Sequence, residues 1–223
     1  MKLTHYGKDV LIKILIAGLI LFGISIITDS LILKFIFIGI GIFLWLFSLY
    51  FFRDPDRKIP SDLKENQILS PADGKVVVIE DIINKEDNIF KKGEPLIQIS
   101  IFLSPLNVHV NRIPLNGVIK FLKYVKGDYL VAFDPKSSER NERSEIGIEN
   151  EVTGHKILFK QIAGFVARRI VYDIGDGSKV KAGDKFGMIK FGSRVDILVK
   201  RETNIFVRLD QIVTGGETII AEL

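Results

Sequence analysis

The chain has 223 residues, no cysteine and three histidines, His5, His109 and His155. That length makes one or two domains, and the missing thiols exclude disulfides, thiolate zinc sites and cysteine nucleophiles, fitting a reducing compartment. The formal net charge is +4 and the pI is about 9.1. No Lys/Arg run tracks nucleic acid and the histidines are too few for a multi-histidine metal site, so neither partner is expected. The mild basicity reads more simply as attraction to anionic lipid headgroups.

The first 52 residues differ from the rest. "LIKILIAGLILFGISIIT" (11–28) and "LILKFIFIGIGIFLWLFSLYFF" (31–52) are each long enough to span a hydrocarbon core. Each carries one lysine, Lys13 or Lys34, near an end, where its stem can reach the interface. Asp29-Ser30 separates the two runs, and Tyr50 sits as an interfacial anchor. Lys2 and Lys8 precede the pair, and Arg53, Arg57 and Lys58 follow it. The positive-inside tendency places both flanks in the cytoplasm. The pattern predicts a two-helix transmembrane hairpin over 1–52. A signal peptide or a re-entrant hairpin is the alternative, the first disfavoured by the second apolar run and the lack of a small-residue cleavage site.

A polar, proline-bearing linker is expected over 53–67, beginning "RDPDRKIP". From residue 68 the pattern becomes short alternating runs: "KVVVIEDI", "LIQISIFL", "GVIKFLKYV", "HKILFKQI", "RRIVYDI", "RVDILV", "NIFVRL" and "TIIAEL". Gly, Pro, Asn and Asp separate them, which predicts an antiparallel β domain over 68–223. One or two helical turns fit 161–169. "KKGEPLIQI" (91–99), "KAGDKFGMI" (181–189) and "TGGETIIAE" (214–222) each place a glycine and an acid just before an apolar strand. Such turns recur in barrel–sandwich hybrid folds, and glycine there supplies positive φ. The charged stretch 126–148 is long for a hairpin loop and reads as a lid or a disordered segment. "KFGMIKFGSRVDILVK" (185–200) reads as a β-hairpin whose turn carries Gly192-Ser193.

Three stretches carry side chains suited to chemistry: "SPADGKV" with Asp73, "SPLNVHVNRIP" with His109, and "FGSRVD" with Ser193. Singly, each reads as structural: a turn aspartate, a strand histidine, a turn serine. Together they are the carboxylate, imidazole and hydroxyl that activate a serine. The set leaves open a serine hydrolase with a standing triad and a membrane-tethered adaptor domain of the biotinyl/lipoyl type. The last would want an exposed carrier lysine within Met-Lys-Met, and Lys190 is not in that setting.

From about residue 50 to the end the chain resembles the short-type phosphatidylserine decarboxylase family, which includes archaetidylserine decarboxylases. The resemblance rests on six ordered blocks: "FFRDPDR", "SPADGKV", "SPLNVHVNR", "SSERNER", "QIAGFVARRIV" and "KAGDKFGMIKFGSRVD". Longer members carry Leu-Gly-Ser-Thr at the key turn, whereas this chain has Phe191-Gly192-Ser193-Arg194. The resemblance implies a mainly β, barrel–sandwich hybrid-like catalytic domain that cuts itself at Gly192-Ser193. Ser193 Oγ would attack the Gly192 carbonyl, and elimination and loss of ammonia would leave a covalent pyruvoyl group. The products would be a β chain, 1–192, and an α chain, 193–223, held together by strand pairing. His109 would be the base and Asp73 would orient it. The pyruvoyl group would then serve as electron sink in converting a serine phospholipid to an ethanolamine phospholipid, with a lipid of the bilayer as partner, at the cytoplasmic face of the cell membrane. Arg112, Arg194, Asn141, Glu142 and Arg143 are the expected substrate-binding residues, and Arg168 and Arg169 could face the phosphate. His155 and His5 are expected to be uninvolved. The sequence leaves a diacyl or diether lipid, and a homodimer, open.

Overall fold

The computed structural model describes residues 2–128, 140–164, 169–190 and 193–223. It forms two compact units, Met1–Pro55 and Asp56–Leu223.

The first unit is a pair of helices, α1 (Lys8–Ile27) and α2 (Leu31–Phe51), joined through Thr28-Asp29-Ser30. At 1.5 Å per residue each is about 30 Å long, the thickness of a hydrocarbon core. Helix α1 starts three residues earlier than the apolar run, because Lys8 and Asp9 are helical too. The helices are apolar on all sides, and large side chains such as Ile12, Leu19, Ile27, Phe35, Phe43 and Leu46 point outward, the pattern of a helix whose solvent is lipid. Their polar side chains bond within the helices. Ser25, Thr28 and Ser48 donate to the carbonyls of Phe22, Ile24 and Trp45 at 2.6, 2.8 and 2.8 Å, as a medium without water requires. Trp45 Nε1 donates across to the Ile14 carbonyl at 3.3 Å, in a space that only a glycine at position 18 leaves open. The two helices are suited to crossing a membrane and are compatible with membrane association.

The second unit is mainly β, as the alternation predicts. Its strands are β1 (Gln67–Leu69), β2 (Gly74–Ile83), β3 (Pro95–Leu103), β4 (Val110–Arg112), β5 (Gly117–Val125), β6 (Arg143–Glu149) and β7 (Lys156–Ala163). They continue with β8 (Arg169–Tyr172), β9 (Lys179–Val180), β10 (Lys185–Lys190), β11 (Ser193–Lys200), β12 (Asn204–Ile205), β13 (Ile212–Val213) and β14 (Ile219–Glu222). Eight of them form a curled antiparallel sheet in the order β13-β2-β3-β11-β7-β6-β5-β9. Two three-stranded sheets, β4-β10-β8 and β1-β14-β12, complete the unit. One core lies inside, built from residues such as Ile99, Ile101, Ile146, Phe159, Phe186 and Ile197. Phe159 of the large sheet meets Phe186 of the small one edge to face at 5.4 Å. A smaller apolar cluster, Phe90, Leu96, Leu158 and Leu198, covers part of the outer face of the large sheet.

The repeated Gly-acid turns hold the strands as the sequence suggests. Gly93, Gly183 and Gly216 have φ of 86°, 86° and 77°. In each, the following acid's N–H donates to the carbonyl three residues back: Glu94 to Lys91, Asp184 to Lys181 and Glu217 to Thr214. This is the type II turn, which needs positive φ at its third residue.

One expectation is corrected. Residues 185–200 are not a hairpin: β10 pairs with β4 and β8, whereas β11 pairs with β3 and β7. Between Lys190 and Ser193 the chain passes from one sheet to another. Strand β11 and most of β10 are buried on both faces, so the local apolar pattern fits two inner strands of different sheets as well as a hairpin. In the stretch 161–169, where one or two helical turns are expected, 161–163 close β7, 169 opens β8, and 165–168 lie outside the described residues.

Candidate active site

Strand register brings the three stretches to one end of the unit. Ser193 opens β11 opposite Leu103 of β3 and Ala163 of β7. Asp73 immediately precedes β2, the other neighbour of β3, and so lies two strands from Ser193. His109 precedes β4, which pairs with β10 at Met188↔Val110, close to where β10 leaves for β11.

Ser193 and His109 are fully buried. Among the described residues Ser193 Oγ has no hydrogen-bond partner. Leaving a buried hydroxyl unsatisfied costs about 1–3 kcal/mol, and at a candidate nucleophile that cost has a use: no competing bond has to break before attack. Gly192, the other half of the expected scissile bond, lies outside the described residues, as does Arg168.

His109 is oriented by its own loop. Ser104-Pro105-Leu106-Asn107 is a turn in which Asn107 N–H donates to the Ser104 carbonyl at 2.9 Å and Ser104 N–H to Asn107 Oδ1 at 2.8 Å. The turn presents the Asn107 carbonyl 2.9 Å from His109 Nδ1. A carbonyl only accepts, so Nδ1 carries the proton and the lone pair of the neutral ring is on Nε2.

Asp73 is held by other groups. Its Oδ2 accepts from Arg57 Nη2 at 2.7 Å and its Oδ1 from the Gly215 N–H at 2.9 Å. Lys58 N–H also donates to Glu217 Oε1 at 2.8 Å, and Ile59 fills the space above Gly183. The stretch 56–60 therefore packs onto the β unit through the Asp73, Gly183 and Gly215 turns. No hydrogen bond joins Asp73 to His109 among the described residues.

The arginines expected to bind substrate hold the protein's own acceptors. Arg112 Nη1 donates to the Gly183 carbonyl at 2.8 Å. Arg194 Nε donates to Asp196 Oδ1 at 2.6 Å and its Nη2 to Ser100 Oγ at 2.8 Å. Arg143 Nε donates to Glu145 Oε1 at 2.7 Å, and Glu145 also meets Lys160 at 3.4 Å. Residues 141–143 do not belong to an open loop. Asn141 is buried and its Nδ2 donates to the Ala163 carbonyl at 2.7 Å, the Glu142 carbonyl accepts from Ala163 N–H, and Arg143 begins β6. They brace Ala163, the residue paired with Ser193.

Sequence reading passed over a buried amide chain on the inner side of this corner. Ser144 Oγ donates to Gln161 Oε1 at 2.8 Å, and Gln161 Nε2 donates to Asn111 Oδ1 at 2.8 Å. Asn111 Nδ2 is left without a partner. A polar residue at an inward position of a strand pattern was the only signal available, and Gln161 and Asn111 both meet it.

A cavity of about 370 Å³ opens beside β8 and is lined by Tyr124, Glu142, Arg169, Ile170, Val171 and Tyr172. Arg169 pairs with Lys190 at the end of β10, so this cavity adjoins the Ser193 corner. A larger cleft of about 830 Å³, lined by Lys91, His155, Lys200 and Leu223 among others, lies at the far end of β11. It is remote from the candidate chemistry, and so is His155. His5 belongs to the helical unit and packs its ring on Tyr6 at 3.9 Å.

Residues 44–221 match the family model described as phosphatidylserine decarboxylase. The chain is 51% identical over 177 residues to a phosphatidylserine decarboxylase proenzyme of Salinibacter ruber, covering 79% of this chain and 76% of that protein. It is 46% identical to the Amoebophilus asiaticus protein of the same name, over 98% of this chain and 96% of that one. A third proenzyme, from Chlorobium phaeobacteroides, is 44% identical with 98% of both chains covered. With both the fold and the matched length in agreement, the chain belongs to the phosphatidylserine decarboxylase family of carboxy-lyases.

Proposed function

We propose that the chain is a proenzyme that cuts itself between Gly192 and Ser193 and then decarboxylates a serine phospholipid to the ethanolamine phospholipid. The observation that carries this reading is the buried, unpartnered Ser193 Oγ at the crossing between two sheets, in a chain of this family. An orphaned hydroxyl at that position fits the precursor of a pyruvoyl group.

In the proposed cleavage, Ser193 Oγ adds to the Gly192 carbonyl carbon and the peptide C–N bond breaks, giving an ester. His109 takes the hydroxyl proton at Nε2 and returns it to the departing nitrogen. The Asn107 carbonyl keeps Nδ1 protonated, so the basic nitrogen stays on the other side of the ring. Asp73, ion-paired with Arg57 and bonded to the Gly215 N–H, supports the corner by holding these segments and is given no direct part in the proton transfer. Elimination of the ester then releases the Gly192 carboxylate and leaves a dehydroalanine, whose hydrolysis gives ammonia and the pyruvoyl ketone. Pairing of β11 with β3 and β7 holds the two chains together.

The pyruvoyl group supplies the electron sink for loss of CO2. The chain's residues bind and exclude water: the Ser193 corner is buried, and Arg169 lines the adjoining cavity. Helices α1 and α2 keep the unit beside lipid at the cytoplasmic face, so the acyl or isoprenoid chains need not leave the bilayer. Deleting residues 1–52 is expected to spare self-cleavage and to lower activity on vesicles; equal vesicle activity would remove this role of the helices.

The test is the intact mass of protein purified from membranes. Two chains are expected, the shorter covering 193–223 and lighter by one ammonia than a serine-started peptide. A single chain that stays uncut on incubation would overturn the reading.

A further inference from the structure

We infer that Asn111 is the hydrogen-bond donor that recognises the carboxylate of the serine headgroup. The inference rests on the proposed function above and adds to it the residue that distinguishes substrate from product.

Within the β unit, the described residues contain two buried side-chain atoms without a hydrogen-bond partner: Ser193 Oγ and Asn111 Nδ2. The first is the proposed nucleophile. The second lies on the same inner side of the corner. Asn111 sits two residues beyond His109, and its amide is tied to Gln161. Gln161 faces Val195, while Ala163, two residues on, faces Ser193. Gln161 is therefore a diagonal same-face neighbour of Ser193, about 7 Å away between Cβ atoms.

The amide chain fixes which end of Asn111 is presented. Ser144 Oγ–H occupies Gln161 Oε1, so Gln161 offers its Nε2–H, which requires the oxygen of Asn111. The Asn111 NH2 is left turned away from Gln161. Among the described residues it has no acceptor, so it is open to one that enters the corner. The headgroup carboxylate is an acceptor that enters this corner. Arg112, Arg143 and Arg194 are engaged with Gly183, Glu145 and Asp196. A neutral donor also suits the reaction. It can orient a carboxylate without the full charge pairing that would stabilise the ground state against loss of CO2.

The experiment uses full-length, self-processed protein in detergent with short-chain phosphatidylserine and phosphatidylethanolamine. Asn111→Ala is expected to process into two chains and to raise KM for the serine lipid roughly 10- to 100-fold, the range for a lost hydrogen bond to a charged group. Inhibition by the ethanolamine lipid should stay unchanged. So should its cyanoborohydride trapping on the shorter chain, read as mass, because that lipid has no carboxylate. Asn111→Asp keeps the shape and the fold. It should be impaired at neutral pH by charge repulsion and recover as the pH falls and its carboxyl regains a donor proton. Equal weakening of both lipids, or a KM and pH profile like the parent's, would overturn the inference. So would an uncut Asn111→Asp chain, which would move Asn111 to the cleavage step. Failure of the parent protein to cleave or decarboxylate would instead overturn the proposed function.

Discussion

The two faces of β11 handle polarity in opposite ways. On the outer face, Arg194 and Asp196 are almost wholly buried and bond each other, with Ser100 as a third partner. Beside them Arg143, Glu145 and Lys160 continue the pairing across β6 and β7. On the inner face, Ser193 lies above an apolar row of Val195, Ile197 and Val199, and its hydroxyl has no partner. Buried charge that is fully paired is structural, because it has no capacity left for a ligand. A buried hydroxyl left unpaired carries a cost in stability, and on the proposed function that cost keeps Ser193 ready for attack.

The comparison can be broken most directly at Ser193. Ser193→Ala should leave one full-length chain with no decarboxylase activity, seen on a denaturing gel and by lipid chromatography; a cut at Gly192 in that variant would end the serinolysis reading. His109→Ala should slow self-cleavage by about 100-fold or more, within the range for loss of a general base, followed as a time course of precursor mass. Processing at the parent rate would assign the proton to another group. On the outer face the expected effect is on stability. Arg194→Met or Asp196→Leu alone should destabilise the β unit by about 3–5 kcal/mol in denaturant titration, and the two together should recover most of it. If the double variant folds but no longer binds serine lipid, the outer face belongs to the site after all. Gly183→Ala tests the turn that carries Ile59 and Arg112, and should cost about 1–2 kcal/mol for a side chain forced into positive φ.

The smallest effect concerns acid. Lys64, Gln67 and Asn66 hold the Glu222 carboxyl below its ordinary value of 4.5, the Lys64 hydrogen bond being the largest cause. A lowered carboxyl stabilises the fold above its unfolded value and loses that contribution as pH falls through the folded one. Glu222→Gln should therefore flatten the acid limb of stability below about pH 4.5 and leave neutral pH nearly unchanged. An unaltered acid limb would show that the β1–β14 edge does not depend on this contact.

Much was legible in the sequence because it is local. Two long apolar runs, each with a single lysine near an end, specify helices α1 and α2, since length and apolar character suffice when lipid is the solvent. The three Gly-acid turns were readable because positive φ is a property of one residue and its neighbours. The family blocks marked Ser193, His109 and Asp73 as candidates. Their partners were not legible. Arg57 meets Asp73, and Gln161 meets Asn111, from separate segments, and nothing in a strand's alternation says which acceptor an inward amide will meet.

The sequence by itself determined the membrane-suited hairpin, the β domain, the turns and the residue types available for chemistry. Only the tertiary structure decided that 185–200 crosses between sheets, that Arg112, Arg143 and Arg194 are engaged inside the protein, and that Ser193 and Asn111 are left with unsatisfied groups. The reason is physical. Apolar period and turn geometry depend on neighbours a few residues away, whereas satisfaction of a buried polar atom depends on which strands the register brings beside it.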